Sequence, residues 1–148
     1  MRIILEDVPD ELARELFALL AKHQSVQAVQ DAQWTETRAE QLLRDLPTNA
    51  TQIIRHAVAG KGWAAAKQLR GPNGSDSLRG RSGAITKAIN RGTAKGRWPT
   101  GMPQPVEAQY DPDNPSYQRT TGYVMTEDLV PVFEAALRRI DTDTETDA

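Results

Sequence analysis

Prolines and glycines cut this chain into short pieces, each with room for a modest helix or a strand. The breaks fall at Pro9, Pro47, Gly60, the turn-forming run Gly71-Pro72-Asn73-Gly74-Ser75-Asp76-Ser77, Gly92, and Asp111-Pro112-Asp113-Asn114-Pro115. Between them the spacing of apolar residues assigns a type to each piece. Arg2 to Glu6 reads as a short strand. Leu12, Leu16, Leu19 and Leu20 predict a helix from Pro9 to about His23. Ser25 to Gln33 is polar and rich in glutamine and reads as a linker or a weak helix. Thr35 suits an N-cap for a helix carrying Leu42, Leu43 and Leu46, which Pro47 ends.

Thr48 or Asn49 is expected to cap the next helix, with Ile53, Ile54, Ala57 and Val58 on its inner face. Trp63 to Leu69, rich in alanine, predicts a short helix, and Leu78 to Asn90 a longer one with Leu78, Ile85 and Ile89 inward. Gly92 to Gly101 reads as loop. Val106 to Tyr110 and Gln118 to Met125 predict a hairpin. A last helix is expected from the N-cap Thr126 to Ile140, striped by Leu129, Val132, Phe133, Ala136, Leu137 and Ile140. Beyond Asp141 threonines alternate with acids, which reads as a disordered tail.

The pieces add up to an α+β chain, mainly α. At 148 residues and 39% hydrophobic content it can bury a core unaided. It has no cysteine, which excludes disulfides, a thiolate nucleophile and cysteine-ligated metal. The N-terminal apolar run is too short for a signal peptide, and no stretch approaches the roughly 20 apolar residues of a membrane span. The expectation is a cytoplasmic protein with no membrane partner.

Charge is distributed unevenly. From Arg55 to Trp98 there are ten Lys or Arg (Arg55, Lys61, Lys67, Arg70, Arg79, Arg81, Lys87, Arg91, Lys95 and Arg97) against the single acid Asp76, a local +9. The whole chain carries −2, so the remainder carries −11. Such asymmetry predicts one surface built for an anion. The alternative is a solvated basic face with no partner.

Catalytic and cofactor motifs are missing. The glycine-rich stretches at 71–75 and 80–83 lack the Gly-Lys-Ser/Thr ending and the preceding strand of a phosphate loop. His23 and His56 have no partner at metal-ligand spacing, and no Ser, His and acid set can be argued. The expectation is a non-enzyme with neither cofactor nor metal. Of the three tryptophans, Trp34 and Trp63 read as core residues at helix starts. Trp98, between Arg97 and Pro99, reads as the one open to stacking on a base.

Three helices followed by a hairpin, centred on Leu78-Arg79-Gly80-Arg81-Ser82-Gly83-Ala84-Ile85-Thr86-Lys87-Ala88-Ile89-Asn90-Arg91-Gly92, resemble the winged helix-turn-helix superfamily. The resemblance spans about Trp34 to Met125. It departs from the family in a long turn before the helix at 78–90 and a long loop from Gly92 to Pro105.

The resemblance implies a winged helix-turn-helix domain over 34–125. Around it stand an added N-terminal strand and helix (1–33), a C-terminal helix (126–140) and an acidic tail (141–148). It implies a transcriptional regulator reading double-stranded DNA with the 78–90 helix in the major groove. The contacts would be Arg79, Arg81, Ser82, Thr86 and Lys87 near the helix start, Arg91, Lys95 and Arg97 beyond it, and Arg119 from the hairpin. The hairpin tip, Asp111 to Pro115, is acidic, so a wing that only packs on the core stays open. In regulators of the multiple-antibiotic-resistance type, terminal helices build a dimer, which implies a homodimer here; packing of both helices on their own domain would leave a monomer. The alternative function is a protein–protein interaction module docking an acidic partner on the basic face.

Overall fold

The computed structural model describes residues 3–23, 30–72, 74, 77–113 and 119–146. Its helices are α1 (Asp10–Leu20), α2 (Glu36–Asp45), α3 (Thr48–Ala59), α4 (Ala66–Leu69), α5 (Arg79–Ala94) and α6 (Val130–Thr146). Its strands are β1 (Trp63–Ala65), β2 (Glu107–Tyr110) and β3 (Thr120–Val124). They form one antiparallel sheet in the order β1-β3-β2. The chain is therefore α+β and mainly helical.

Local chemistry explains most of the boundaries. The Thr35 hydroxyl accepts from the Arg38 amide at 3.2 Å and opens α2. The expected cap at Thr48 or Asn49 is corrected to Pro47. Pro47 stands at the entrance of α3, and its carbonyl accepts from Ala50 and Thr51 at 3.0 and 3.1 Å. Having no N–H to satisfy, proline fits that place. The helix expected from Trp63 begins instead as a strand. Gly62, at φ +112, swings the chain alongside β3, and its carbonyl accepts from the Met125 amide at 2.8 Å. Trp63, Ala64 and Ala65 then pair with Val124, Tyr123 and Gly122. The need of β3 for backbone partners overrides the helical preference of alanine.

Three further expectations change. Residues 3–6 form no strand: Ile3, Ile4 and Leu5 are exposed and have no ladder partner. Arg2 and the 25–29 part of the expected linker or weak helix lie outside the described residues. α5 runs through Gly92 to Ala94 and closes at Gly96, at φ +74. There the Gly96 amide donates to Thr93 and that of Arg97 to Gly92, at 3.1 and 2.9 Å, so two end carbonyls are satisfied. α6 starts at Val130 rather than after Thr126, because an earlier start would put Pro131 in the helix interior.

The expected disordered tail is helical as far as Thr146. Acids of this last stretch meet arginines of neighbouring helices. Asp141 bonds Arg55 at 2.7 and 3.1 Å, and Asp143 bonds Arg44. The Thr142 and Thr144 hydroxyls donate to the carbonyls of Arg138 and Ile140.

The core lies between α2, α3, α5, α6 and the inner face of the sheet. Leu42, Ile53, Ile54, Ile85, Tyr123 and Phe133 are fully buried there. Trp34, Trp98 and Phe133 form its aromatic centre, with ring centroids 5.4 and 5.6 Å apart. α1 stands apart, with only Ala13 buried and Leu12 and Leu19 exposed. Arg38, 4% exposed, holds it. Its guanidinium donates to the Asp10 carboxylate at 3.1 and 3.2 Å and to the carbonyls of Asp31 and Gln33 at 2.8 Å. Among the described residues no helix is long and apolar enough to cross a membrane.

Candidate nucleic-acid interface

α5 carries no acidic side chain. Its inner face is Ile85, Ala88, Ile89 and Gly92, all buried against α3 and α2. Helical periodicity sends Gly80, Gly83, Lys87, Asn90 and Ala94 the other way. Of these, Gly80, Lys87, Asn90 and Ala94 are exposed. A Cβ at Gly80 or Gly83 would meet no atom within 4 Å. The outer face is thus low, uncharged apart from Lys87, and flanked by exposed Thr86 and Arg91.

The expected contact residues divide. Thr86, Lys87 and Lys95 are exposed on or beside α5. The side chain of Arg79 lies outside the described part of the structure. Arg81 is half-buried and donates to the Leu69 carbonyl at 2.8 Å, tying the start of α5 to the end of α4. The Ser82 hydroxyl donates back to Leu78 at 3.4 Å. Arg91 and Arg97 both meet the Asp45 carboxylate, at 3.1 and 3.8 Å. Arg119 stands apart from α5, where it donates to the Gly74 carbonyl at 3.0 Å.

The expected separation of basic and acidic surfaces is only partial. Asp45 of α2 and Asp141 of α6 reach over to Arg91, Arg97 and Arg55. The hydrogen bond to Asp141 raises the pKa of Arg55, and Arg55 in turn holds the Asp141 carboxyl below its ordinary value. These exposed pairs are each worth roughly 0–1 kcal/mol, so they can exchange partners readily.

A second basic feature lies beside the hairpin. An open cleft of about 560 Å³ is lined by Lys67 of α4, Arg70 just after it, Gly74, Asp111, Arg119 and Thr120. Arg70 donates to the Thr120 carbonyl at 2.6 Å. Burial lowers its pKa, and the nearby Arg119 charge lowers it further. Nothing in the sequence joins Lys67 and Arg70 to Arg119. No spacing rule links them, since the sheet alone brings them together.

The tryptophans exchange their expected places. Trp98 is 2% exposed, donates to the Ile89 carbonyl at 3.0 Å and lies against Gly92. Trp63 is 42% exposed on the outer side of the sheet and lies over Gly122, where a Cβ would come within 2.4 Å of its ring. Among the described residues no three of His, Asp or Glu gather as a metal site would require. The chain matches no family model, no curated protein and no solved structure.

Proposed function

We propose that this protein is a transcriptional regulator that binds double-stranded DNA, laying the outer face of α5 in the major groove. The observation that carries the reading is that face. Two open glycines, Lys87 and Asn90 make a shallow, acid-free helical surface, and the major groove is about one helix wide. Asn90 can bond adenine bidentately and Lys87 can meet guanine or a phosphate. Thr86 and Arg91 flank the face and suit backbone contacts.

The sheet order β1-β3-β2, with β1 between α3 and α4 and the β2–β3 hairpin after α5, supports a winged helix-turn-helix arrangement. The hairpin would then be the wing, with Arg119 at the loop end of its strands, next to the Tyr110–Thr120 pair. Arg81 has a structural role in this scheme, fixing the angle between α4 and α5. A homodimer would have to be built on α1, because α6 is spent on α2 and α3.

Duplex affinity measured against salt tests the reading. Binding through several phosphates must weaken steeply as salt rises. Failure of the full chain to bind any duplex at low salt overturns it.

One observation favours a protein-docking role instead. Trp63, Val124 and Tyr110 are exposed apolar side chains on the small sheet. Trp63→Ser leaving duplex affinity intact while removing a co-purifying protein would support that role.

A further inference from the structure

The cleft between α4 and β3 holds positive charge that forms no ion pair among the described residues. Among the described residues, Lys67, Arg70 and Arg119 line it against the single carboxylate of Asp111. Among the described residues none of the three cations forms a salt bridge. Elsewhere on the molecule, Arg38, Arg44, Arg55, Arg91, Arg138 and Arg139 each have a carboxylate.

The two cleft arginines are pinned through one nitrogen each, Arg70 to the Thr120 carbonyl and Arg119 to the Gly74 carbonyl. A guanidinium has five N–H donors, so each keeps a donating edge beyond these bonds. Like charges so placed repel, and Arg70 is partly withdrawn from water. A tetrahedral oxyanion offsets both costs, and the planar guanidinium fork fits two of its oxygens.

We propose that this cleft binds a phosphate group, gripped by Arg70 and Arg119 with Lys67 at its rim. The group can come from two sources. One is a backbone phosphodiester of bound duplex, which rests on the DNA reading above. The other is a free phosphate or phosphomonoester, which does not. Asp111 opposes the anion and sets its affinity. Its Oδ1 also accepts from the Asp113 amide at 2.9 Å, a bond that asparagine can keep.

The test follows amide signals of the isotope-labelled full chain during two titrations, one with inorganic phosphate and one with duplex DNA. Sodium chloride at matched ionic strength is the control. Phosphate is expected to shift Gly74, Thr120 and Thr121 saturably. Arg119→Gln, at an exposed position, should weaken this about tenfold, as loss of a charge-assisted hydrogen bond implies. Lys67→Gln should weaken it less, and Asp111→Asn should tighten it severalfold.

The proposal is overturned if neither titrant shifts the cleft amides, or if the shifts survive both Arg119→Gln and Lys67→Gln. Movement of α5 amides with duplex while the cleft stays silent sinks the cleft and spares the DNA reading. A saturable response to phosphate with α5 silent towards duplex keeps the cleft and sinks the DNA reading.

Discussion

α5 has glycine on both of its faces, and the two faces make opposite demands on it. At Gly92, on the inner face, a Cβ would stand 1.9 Å from the Trp98 ring, so packing forbids any side chain. At Gly80 and Gly83, on the outer face, a Cβ would touch nothing, so packing is indifferent. Yet each glycine inside a helix costs roughly 0.5–1 kcal/mol relative to alanine. Inside, the tryptophan it admits offsets that cost. Outside, no described residue does, and a close-approaching partner is the compensation the proposed function supplies.

The largest expected effect breaks the inner half of this comparison. Gly92→Ala should push the Trp98 ring from its place against α5 and lower stability by about 1–3 kcal/mol or more. Denaturant midpoints with unchanged slopes would report it. A variant as stable as the parent would mean that the ring yields freely.

Next comes the outer face. Asn90→Ala should cost about 1–3 kcal/mol in specific duplex affinity if its amide reads a base. Melting temperature should stay nearly unchanged, because Asn90 is exposed. Fluorescence anisotropy against a specific and a scrambled duplex separates this from a general loss of binding.

Gly83→Ala sharpens the comparison most directly. It should raise stability by about 0.5–1 kcal/mol. If the glycine is kept for close approach, the same change weakens duplex binding. Gain in both properties would remove the functional reason for an open glycine there.

The smallest effect concerns charges already satisfied within the chain. Asp141→Asn removes the partner of Arg55 and should cost a few tenths of a kcal/mol, as exposed pairs do. The Asp141 carboxyl titrates lower when folded than when unfolded. Its contribution is therefore full above the ordinary carboxylate value of about 3.9 and vanishes as pH falls through the folded pKa. Parent and variant stabilities should differ at pH 6 and converge towards pH 2. Lys87, by contrast, has no acid on its own helix to release.

Periodic elements were legible in the sequence because burial writes itself every three or four residues. Leu42 and Leu43, Ile53 and Ile54, Ile85 and Ile89, and Phe133 and Leu137 are all buried as their spacing implies. β1 was not legible, since Trp63-Ala64-Ala65 becomes a strand only when β3 arrives from the far end of the chain. Trp98 and Trp63 were misread for the same reason. The basic neighbours of Trp98 suggested a surface, but its ring fills the hole that Gly92 leaves, and Gly122 gives Trp63 a flat seat outside. α5 was found in the sequence, but the fate of its arginines was not. Whether Arg81 faces a ligand or the Leu69 carbonyl depends on where α4 ends.

Arg38 ties the fate of the first helix to that of the body. Its side chain is buried, and its hydrogen bonds reach Asp10, Asp31 and Gln33. Cutting away α1 would strand a guanidinium without its counterion, at a cost of roughly 3–5 kcal/mol for a broken buried pair. A truncation that looks harmless from the thin apolar footing of α1 is thus an amputation felt in the hub, and the arm should be retained in any fragment meant to fold.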